Sequence, residues 1–152
     1  MARIMILDSG PLGDACRKRG HPDVERLKLW LHHAKANGAI VAIPEIADYE
    51  VRRGLLLSGA IEGIKRLDDL REELGFYIPI STAAMRRAAE LWADARKQGF
   101  ATGDDREIDA DVILAAQAML FTGLTDELVV ATYNARHLSR YVKAHHWEDI
   151  TP

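Results

Sequence analysis

Five acidic residues from distant parts of the sequence stand where an α/β protein could bring some of them together. Asp8 follows an apolar segment, Glu45 and Glu50 lie in a stretch of helical periodicity, and Asp109 and Asp111 precede the apolar run 112–116. Neighbouring carboxylates repel by about 4 kcal/mol per pair at 4 Å, with an effective dielectric near 20. A cluster of them therefore needs protons or a cation. Oxygen ligands without Cys or clustered His favour Mg²⁺ or Mn²⁺ over zinc.

Each acid also has a purely structural interpretation. Asp8 could cap the helix that follows it. Asp109 and Asp111 fall at a predicted helix start, where the helix dipole favours negative charge, and for Asp109 we favour this capping role. Asp111 differs because the apolar run begins directly after it, so its charge needs compensation near the core. Glu45 and Glu50 lie about 140° apart around a helix, so at most one of them should face the site.

Apolar runs of strand type alternate with stretches of helical periodicity, which is typical of α/β proteins with a largely parallel sheet. The predicted strands are residues 3–7, 39–43, 76–80, 128–132 and 147–150. The predicted helices cover residues 9–37 with a break at 20–22, then 44–57, 60–74, 82–98 after an N-cap at Ser81, 109–121 and 135–142, with a loop at 99–107. Ligands bind beyond the carboxyl ends of parallel strands. We therefore expect Asp8 and the residues after the fourth strand, Thr132 and Asn134, to share one rim.

Composition limits the possible classes of protein. The chain has 152 residues, which predicts a single domain over 1–152, and 48% of them are hydrophobic, which excludes disorder. A net charge of −3 excludes a broadly basic nucleic-acid coat. The apolar runs are too short to span a membrane, the N-terminal residues do not resemble a signal peptide, and Cys16 is the only cysteine. We expect a cytoplasmic protein.

Four segments, taken together and in this order, resemble the PIN-domain nucleases, and in particular the VapC-type toxins of bacterial toxin–antitoxin pairs. The segments are 4–9 (Ile-Met-Ile-Leu-Asp-Ser), 50–54 (Glu-Val-Arg-Arg-Gly), 109–116 (Asp-Ala-Asp-Val-Ile-Leu-Ala-Ala) and 129–138 (Val-Val-Ala-Thr-Tyr-Asn-Ala-Arg-His-Leu). The resemblance marks Glu50 rather than Glu45 as the second acid and places Asp111 at the catalytic position. It departs from the family at Asn134, where many members carry a fourth acid.

The resemblance implies a PIN-like fold, a three-layer sandwich with a central, mainly parallel sheet of four to five strands flanked by helices. It also implies a metal-dependent ribonuclease. Asp8, Glu50 and Asp111 would be the catalytic acids and would bind one or two Mg²⁺ (or Mn²⁺) ions, and Asp109 could supply the missing carboxylate. These ions would lower the pKa of a bound water and neutralise charge on the phosphate oxygens.

Other residues and partners follow from the same resemblance. Ser9, Thr132 and Asn134 would orient the carboxylates and water. The partners would be RNA as substrate, an antitoxin protein that masks the site, and a second copy in a homodimer. For the apolar run 55–57 we favour core packing over a place in such an interface. The alternative function is a PIN-like binding or scaffold module without activity, which the loss of the acid at Asn134 would favour.

Overall fold

Five parallel strands form the sheet that positions the predicted site. The computed structural model describes residues 2–99, 105–125 and 127–152. The strands are β1 (Ile4–Leu7), β2 (Ile40–Pro44), β3 (Phe76–Ile78), β4 (Leu128–Ala131) and β5 (Ala144–His145). They pair in parallel in the order β3-β2-β1-β4-β5, so β1 is the central strand. This confirms the predicted α/β class with a parallel central sheet flanked by helices, as in a PIN-like fold.

Seven helices connect and flank these strands in the described part of the chain. They are α1 (Ser9–Ala15), α2 (Pro22–Ala36), α3 (Glu45–Ser58), α4 (Ile61–Leu74), α5 (Thr82–Lys97), α6 (Asp105–Met119) and α7 (Ala135–Leu138). Local signals set several of their ends. Ser81 caps α5 as predicted, because its hydroxyl accepts the backbone N–H of Ala84 at 3.0 Å. Gly59 and Gly75 follow α3 and α4 in the left-handed conformation that glycine adopts most easily.

The core lies around β1, whose four residues are all buried. Strands of a parallel sheet are covered on both faces, and for this reason their sequences are continuous apolar runs rather than alternating patterns. Gln117 of α6 is a fully buried amide within this core. Its Oε1 accepts the N–H of Ile46 at 3.3 Å and its Nε2 donates to the carbonyl of Ile78 at 2.7 Å. The amide thereby ties α6 to α3 and β3 without leaving its oxygen or nitrogen unpaired.

The C-terminal part of the chain differs from the prediction. The last strand is β5 at 144–145 rather than 147–150, and Trp147–Asp149 forms a short 3₁₀ helix. The side chain of His146 accepts the N–H of Glu148 and so begins this turn, while the ring of Trp147 packs 5.9 Å from that of Trp30. The apolar residues at 147 and 150 therefore serve this packing and not a strand. Helix α7 ends at Leu138, four residues earlier than predicted.

The start of α6 also differs from the prediction. Part of the predicted loop 99–107, namely residues 100–104, lies outside the described residues. From Asp105 onward the chain is helical, so α6 begins four residues before the predicted start at 109. Because of this shift, Asp109 and Asp111 lie within α6 and not at its first residues.

The apolar run 55–57 does not pack wholly in the core, so that prediction is wrong for two of its three residues. Leu55 packs against the core, but Leu56 is 63% exposed and Leu57 is 91% exposed. Both lie in the last turn of α3. Among the described helices, none combines the length and apolar character needed to cross a membrane.

Candidate functional site

Asp8 lies at the carboxyl end of the central strand β1 and makes two hydrogen bonds with different roles. Its Oδ1 accepts the backbone N–H of Ser9 at 2.7 Å, which caps α1. Its Oδ2 accepts the hydroxyl of Thr132 at 2.7 Å. The structural interpretation of Asp8 as a cap and its place in a site are thus both compatible with the geometry. A carboxylate has about four acceptor positions, so both oxygens retain the capacity for a further ligand.

Thr132 reaches Asp8 because β1 and β4 are neighbours, with Leu7 and Ala131 in register. Thr132 is fully buried, and its Oγ1 accepts the backbone N–H of Asn134 at 2.9 Å. Since this N–H occupies an acceptor position of the hydroxyl, the hydroxyl proton points toward Asp8. The residues Asn134, Thr132 and Asp8 therefore form a directed chain of hydrogen bonds that fixes the Asp8 carboxylate.

Glu50 of α3 is the acid that the structure brings close to Asp8. Burial raises the pKa of Glu50 above its usual value of 4.5, and the negative charge of Asp8 raises this pKa further. The positive charge of Arg53 and a hydrogen bond with Ser9 lower the pKa of Glu50 in part. The repulsion between the two carboxylates is the interaction that a bound cation would relieve.

Glu45, by contrast, has a structural role. Its Oε1 accepts the backbone N–H of Ile80 at 2.9 Å, and its Oε2 accepts the hydroxyl of Tyr77 at 3.2 Å. Burial, together with the charges of Asp48 and Glu45, raises the pKa of Tyr77 to about 12, so its hydroxyl stays protonated as a donor. Glu45 thereby ties the start of α3 to the segment after β3. The geometry is consistent with Glu50 as the second acid.

Asp109 and Asp111 lie inside α6 and not at its start. Because α6 begins at Asp105, the interpretation of Asp109 as a helix cap is wrong. Asp109 is exposed and Asp111 is half-buried. Burial raises the pKa of Tyr141, and the negative charge of Asp111 also acts to raise it, which places Asp111 near the Tyr141 hydroxyl.

Within the residues that the structure describes, the predicted acids do not form a preformed metal-binding cluster. Among the described residues, no group of three or more His, Cys, Asp or Glu side chains is arranged to hold a metal ion. Asp8 and Glu50 are close enough for their charges to interact, and their oxygen ligands are of the kind that Mg²⁺ and Mn²⁺ prefer. The chemistry of the donors therefore fits such an ion, while the complete ligand set stays a prediction.

Tyr133, an exposed aromatic residue directly after Thr132, was missed by the sequence reasoning. The hydroxyl of Tyr133 donates to Oδ2 of Asp14 at 2.6 Å, and the ring lies against Gly10. A Cβ at Gly10 would lie 2.5 Å from Cδ2 of Tyr133, so the ring needs glycine there. Burial and the bond to Asp14 raise the pKa of Tyr133 to about 12. Its only sequence signal is its position between Thr132 and Asn134.

A groove lies elsewhere in the described structure, between α2 and α4. Its volume is about 650 Å³, and charged side chains of both signs line it, including Arg19, Glu25, Lys28, Arg66 and Asp69. None of the predicted acids is among its lining residues. This groove is therefore separate from the candidate site at the end of the sheet.

Neither profiles of known protein families nor curated protein sequences give a match to the chain. Solved structures do match it. A chain of VapBC2 from Rickettsia felis, bound to a DNA fragment from their promoter, has a TM-score of 0.69 and 20% identity, over 95% of this chain and 98% of that one. FitAcB from Neisseria gonorrhoeae gives 0.63 and 20%, over 96% and 99%. DNA-bound VapBC from Salmonella typhimurium gives 0.61 and 18%, over 97% and 99%. The chain therefore has the fold of a VapBC component, in agreement with the PIN-like fold that its sequence predicted.

Proposed function

We propose that the protein is a metal-dependent ribonuclease that hydrolyses RNA phosphodiester bonds and acts as the toxin of a toxin–antitoxin pair. The observation that carries this proposal is the pairing of Asp8 with Glu50. The two acids come from different elements near the carboxyl end of the central strand, and the pKa of Glu50 is raised by burial and also by the negative charge of Asp8. Parallel α/β sheets bind their ligands at this edge.

Asp8, Glu50 and Asp111 would hold one or two Mg²⁺ or Mn²⁺ ions, with Asp109 as a further candidate ligand. When bound, such an ion supplies an activated water and charge neutralisation for in-line attack on the phosphate. The other residues act by orientation. Thr132 holds the Asp8 carboxylate in one rotamer, and Ser9 does the same for Glu50 through its hydrogen bond.

The side chain of Asn134 is exposed at the same rim, while its backbone N–H holds Thr132. An amide can bond a water or a phosphate oxygen without adding negative charge to a site that must accept a polyanion. We therefore assign Asn134 an orienting role in place of the fourth acid.

A cognate antitoxin and a second copy of the chain are the protein partners in this proposal. Two of the similar structures are VapBC proteins bound to DNA. Leu56, Leu57 and Ile61 are exposed around the turn between α3 and α4, where a protein partner would remove them from water. The pair would act in the cytoplasm, where the RNA substrate is.

The second candidate function is a PIN-like binding or scaffold module without activity. It draws on one specific observation: in the described residues the acids are not gathered into a group of three. Asn134 in place of an acid points the same way. A module of this kind would keep the fold and the protein partner but would cleave no RNA.

An RNA-cleavage assay separates the two functions. Purified protein is incubated with RNA and Mg²⁺ or Mn²⁺, beside an EDTA control and a Glu50→Gln control, and isothermal titration measures Mn²⁺ binding. We expect cleavage that depends on metal and on Glu50, with dissociation constants in roughly the micromolar to low millimolar range for an open site of oxygen ligands. Absence of both Mn²⁺ binding and cleavage would favour the inactive module.

A further inference from the structure

Tyr133 presents an aromatic ring to solvent and directly follows Thr132, the hydrogen-bond partner of Asp8. The residue is 47% exposed and follows Thr132, whose hydroxyl binds Asp8. The ring therefore stands one residue from the hydrogen-bond chain that fixes the Asp8 carboxylate. Single exposed tyrosines are common on protein surfaces, but this one directly follows the residue that binds the candidate catalytic acid Asp8.

Three contacts hold the ring in a defined orientation. The hydroxyl is bound to Asp14 at 2.6 Å, the ring edge lies against the backbone of Gly10, and the centroid of the His146 ring is 5.0 Å away. The ring of His146 in turn lies tilted beside that of Trp147, with ring centroids 5.8 Å apart. Trp147 packs against Trp30, so the exposed ring is the outer end of an aromatic series anchored in the core. A platform ordered in this way loses little conformational entropy when a ligand stacks on it.

A positive charge lies next to the platform. Nη1 of Arg17 is 3.7 Å from Oδ1 of Asp14, the carboxylate that binds the Tyr133 hydroxyl. The side chain of Arg17 is 57% exposed, so its guanidinium can also reach a ligand. An aromatic face beside an exposed cation is the combination with which proteins bind single-stranded nucleic acid, through base stacking and a phosphate contact.

We propose that the exposed face of Tyr133 stacks on a nucleobase of single-stranded RNA next to the phosphate at the Asp8 and Glu50 site, where a bound metal ion would offset the negative charge of the two acids, with Arg17 contacting a neighbouring phosphate. This inference rests on the proposed function and deepens it by naming residues that bind the substrate. Stacking on any base is sequence-tolerant, so Tyr133 sets the position of the strand more than the identity of the base.

The test measures RNA binding separately from cleavage. Fluorescence anisotropy follows the binding of labelled single-stranded RNA to Glu50→Gln protein, with Tyr133→Leu and Tyr133→Phe added in turn. Loss of one stacked base weakens binding by roughly 5- to 100-fold. We expect a loss in this range for Tyr133→Leu, and binding close to the parent for Tyr133→Phe, which keeps the aromatic face.

A scan with abasic nucleotides distinguishes stacking from a structural role. At one position of the RNA, removal of the base should weaken binding to the parent protein but not weaken it further for Tyr133→Leu. A loss that is equal for intact RNA and for every abasic RNA would overturn the inference, as would unchanged binding for Tyr133→Leu. With unchanged RNA binding, the exposed ring of Tyr133 would be interpreted as a contact for a protein partner.

Two further measurements keep the test decisive. Thermal melts check that each variant folds. If Tyr133→Leu does not fold, Gly10→Ala is used in its place, because its methyl group would displace the Tyr133 ring and should weaken RNA binding to the same extent. In protein with intact Glu50, Tyr133→Leu should raise KM with little change in kcat, because the stacking is present before and during the reaction. RNA binding that depends on Tyr133 without any cleavage would refute the proposed nuclease but retain this inference. Cleavage with the same KM in the wild type and in Tyr133→Leu would support the proposed nuclease and refute this inference.

Discussion

The hydroxyl of Thr132 donates a hydrogen bond to Oδ2 of Asp8 over 2.7 Å, although the two residues are 124 positions apart in the sequence. The contact joins the ends of two adjacent parallel strands. It also explains why a threonine that is fully buried keeps a polar side chain, since its oxygen both donates to Asp8 and accepts the N–H of Asn134. Both groups would lose their partner if the hydroxyl were removed.

Thr132→Val should therefore lower the free energy of unfolding by about 2 kcal/mol, the cost of leaving a carboxylate oxygen and a backbone N–H without a hydrogen bond. Valine has nearly the same shape, so packing changes little. Urea unfolding measures the difference. Thr132→Ser is the matched control because it keeps the hydroxyl, and it should retain most of the stability and activity. Equal losses for the two variants would mean that the methyl group, not the hydrogen bond, is what matters.

Glu50→Gln should abolish RNA cleavage, whereas Glu45→Gln should leave most of it. Glu50 interacts with Asp8 at the rim, while Glu45 accepts hydrogen bonds from Ile80 and Tyr77, which the carbonyl of glutamine can still accept in part. Initial rates of RNA cleavage at saturating Mg²⁺ measure the effect. The opposite result would place the second acid at Glu45.

The raised pKa of Glu50 predicts a dependence of stability on pH. Its carboxyl binds a proton more tightly in the folded state, so the associated stability is present below the ordinary pKa of 4.5 and is lost as pH rises through the higher folded value. Relative to Glu50→Gln, the wild-type protein should lose stability as the pH rises from the ordinary pKa of 4.5 through the higher folded-state pKa of Glu50. Urea unfolding of both proteins across this range in EDTA measures the difference. A constant difference would show that Glu50 is neither buried nor repelled by Asp8.

Asp111→Asn should separate a metal ligand from a structural acid. If Asp111 is a metal ligand that repels the other carboxylates, its replacement should not lower the free energy of unfolding in EDTA. Mn²⁺ at a hundred times its dissociation constant should stabilise the wild type by about 2.7 kcal/mol. That amounts to several degrees in a thermal melt, and the variant should lose most of this shift. A variant that is destabilised in EDTA but keeps the full Mn²⁺ shift would make Asp111 a structural residue.

Two adjacent arginines should differ sharply in their effect on stability. Arg52 binds both oxygens of the buried Asp48, at 2.8 and 3.2 Å, and also Asp68 at 2.7 Å, which joins α3 to α4. Arg52→Leu leaves the buried Asp48 carboxylate without its positively charged partner and should lower the free energy of unfolding by about 3 kcal/mol. Arg53 is exposed, with its guanidinium 5.2 Å from the Tyr49 ring, so Arg53→Leu should cost less than about 1 kcal/mol. Similar losses for the two variants in denaturant titrations would contradict this assignment.

The sequence by itself determined the first four strands and their order along the chain, with ends that agree with the structure to within two residues. Their apolar runs reflect burial on both faces, a local requirement that each segment carries in its own composition. This placed Asp8 and Thr132 at the carboxyl ends of β1 and β4, and the pairing of these strands then brought the two side chains into contact. The short apolar segment at 147–150 lacked this information, because a 3₁₀ turn that buries Trp147 shows a similar pattern.

Tertiary structure alone decided how the side chains are shared between the site and the scaffold. Glu45 and Glu50 have the same chemistry and lie on the same helix. The rotation of α3 against the sheet places Glu45 at the backbone of Ile80 and Glu50 near Asp8. Arg52 came to join the buried Asp48 to Asp68 of the next helix, and the Tyr133 ring came to lie beside His146. Such roles depend on distances of a few ångströms between elements, which residue type and spacing do not specify.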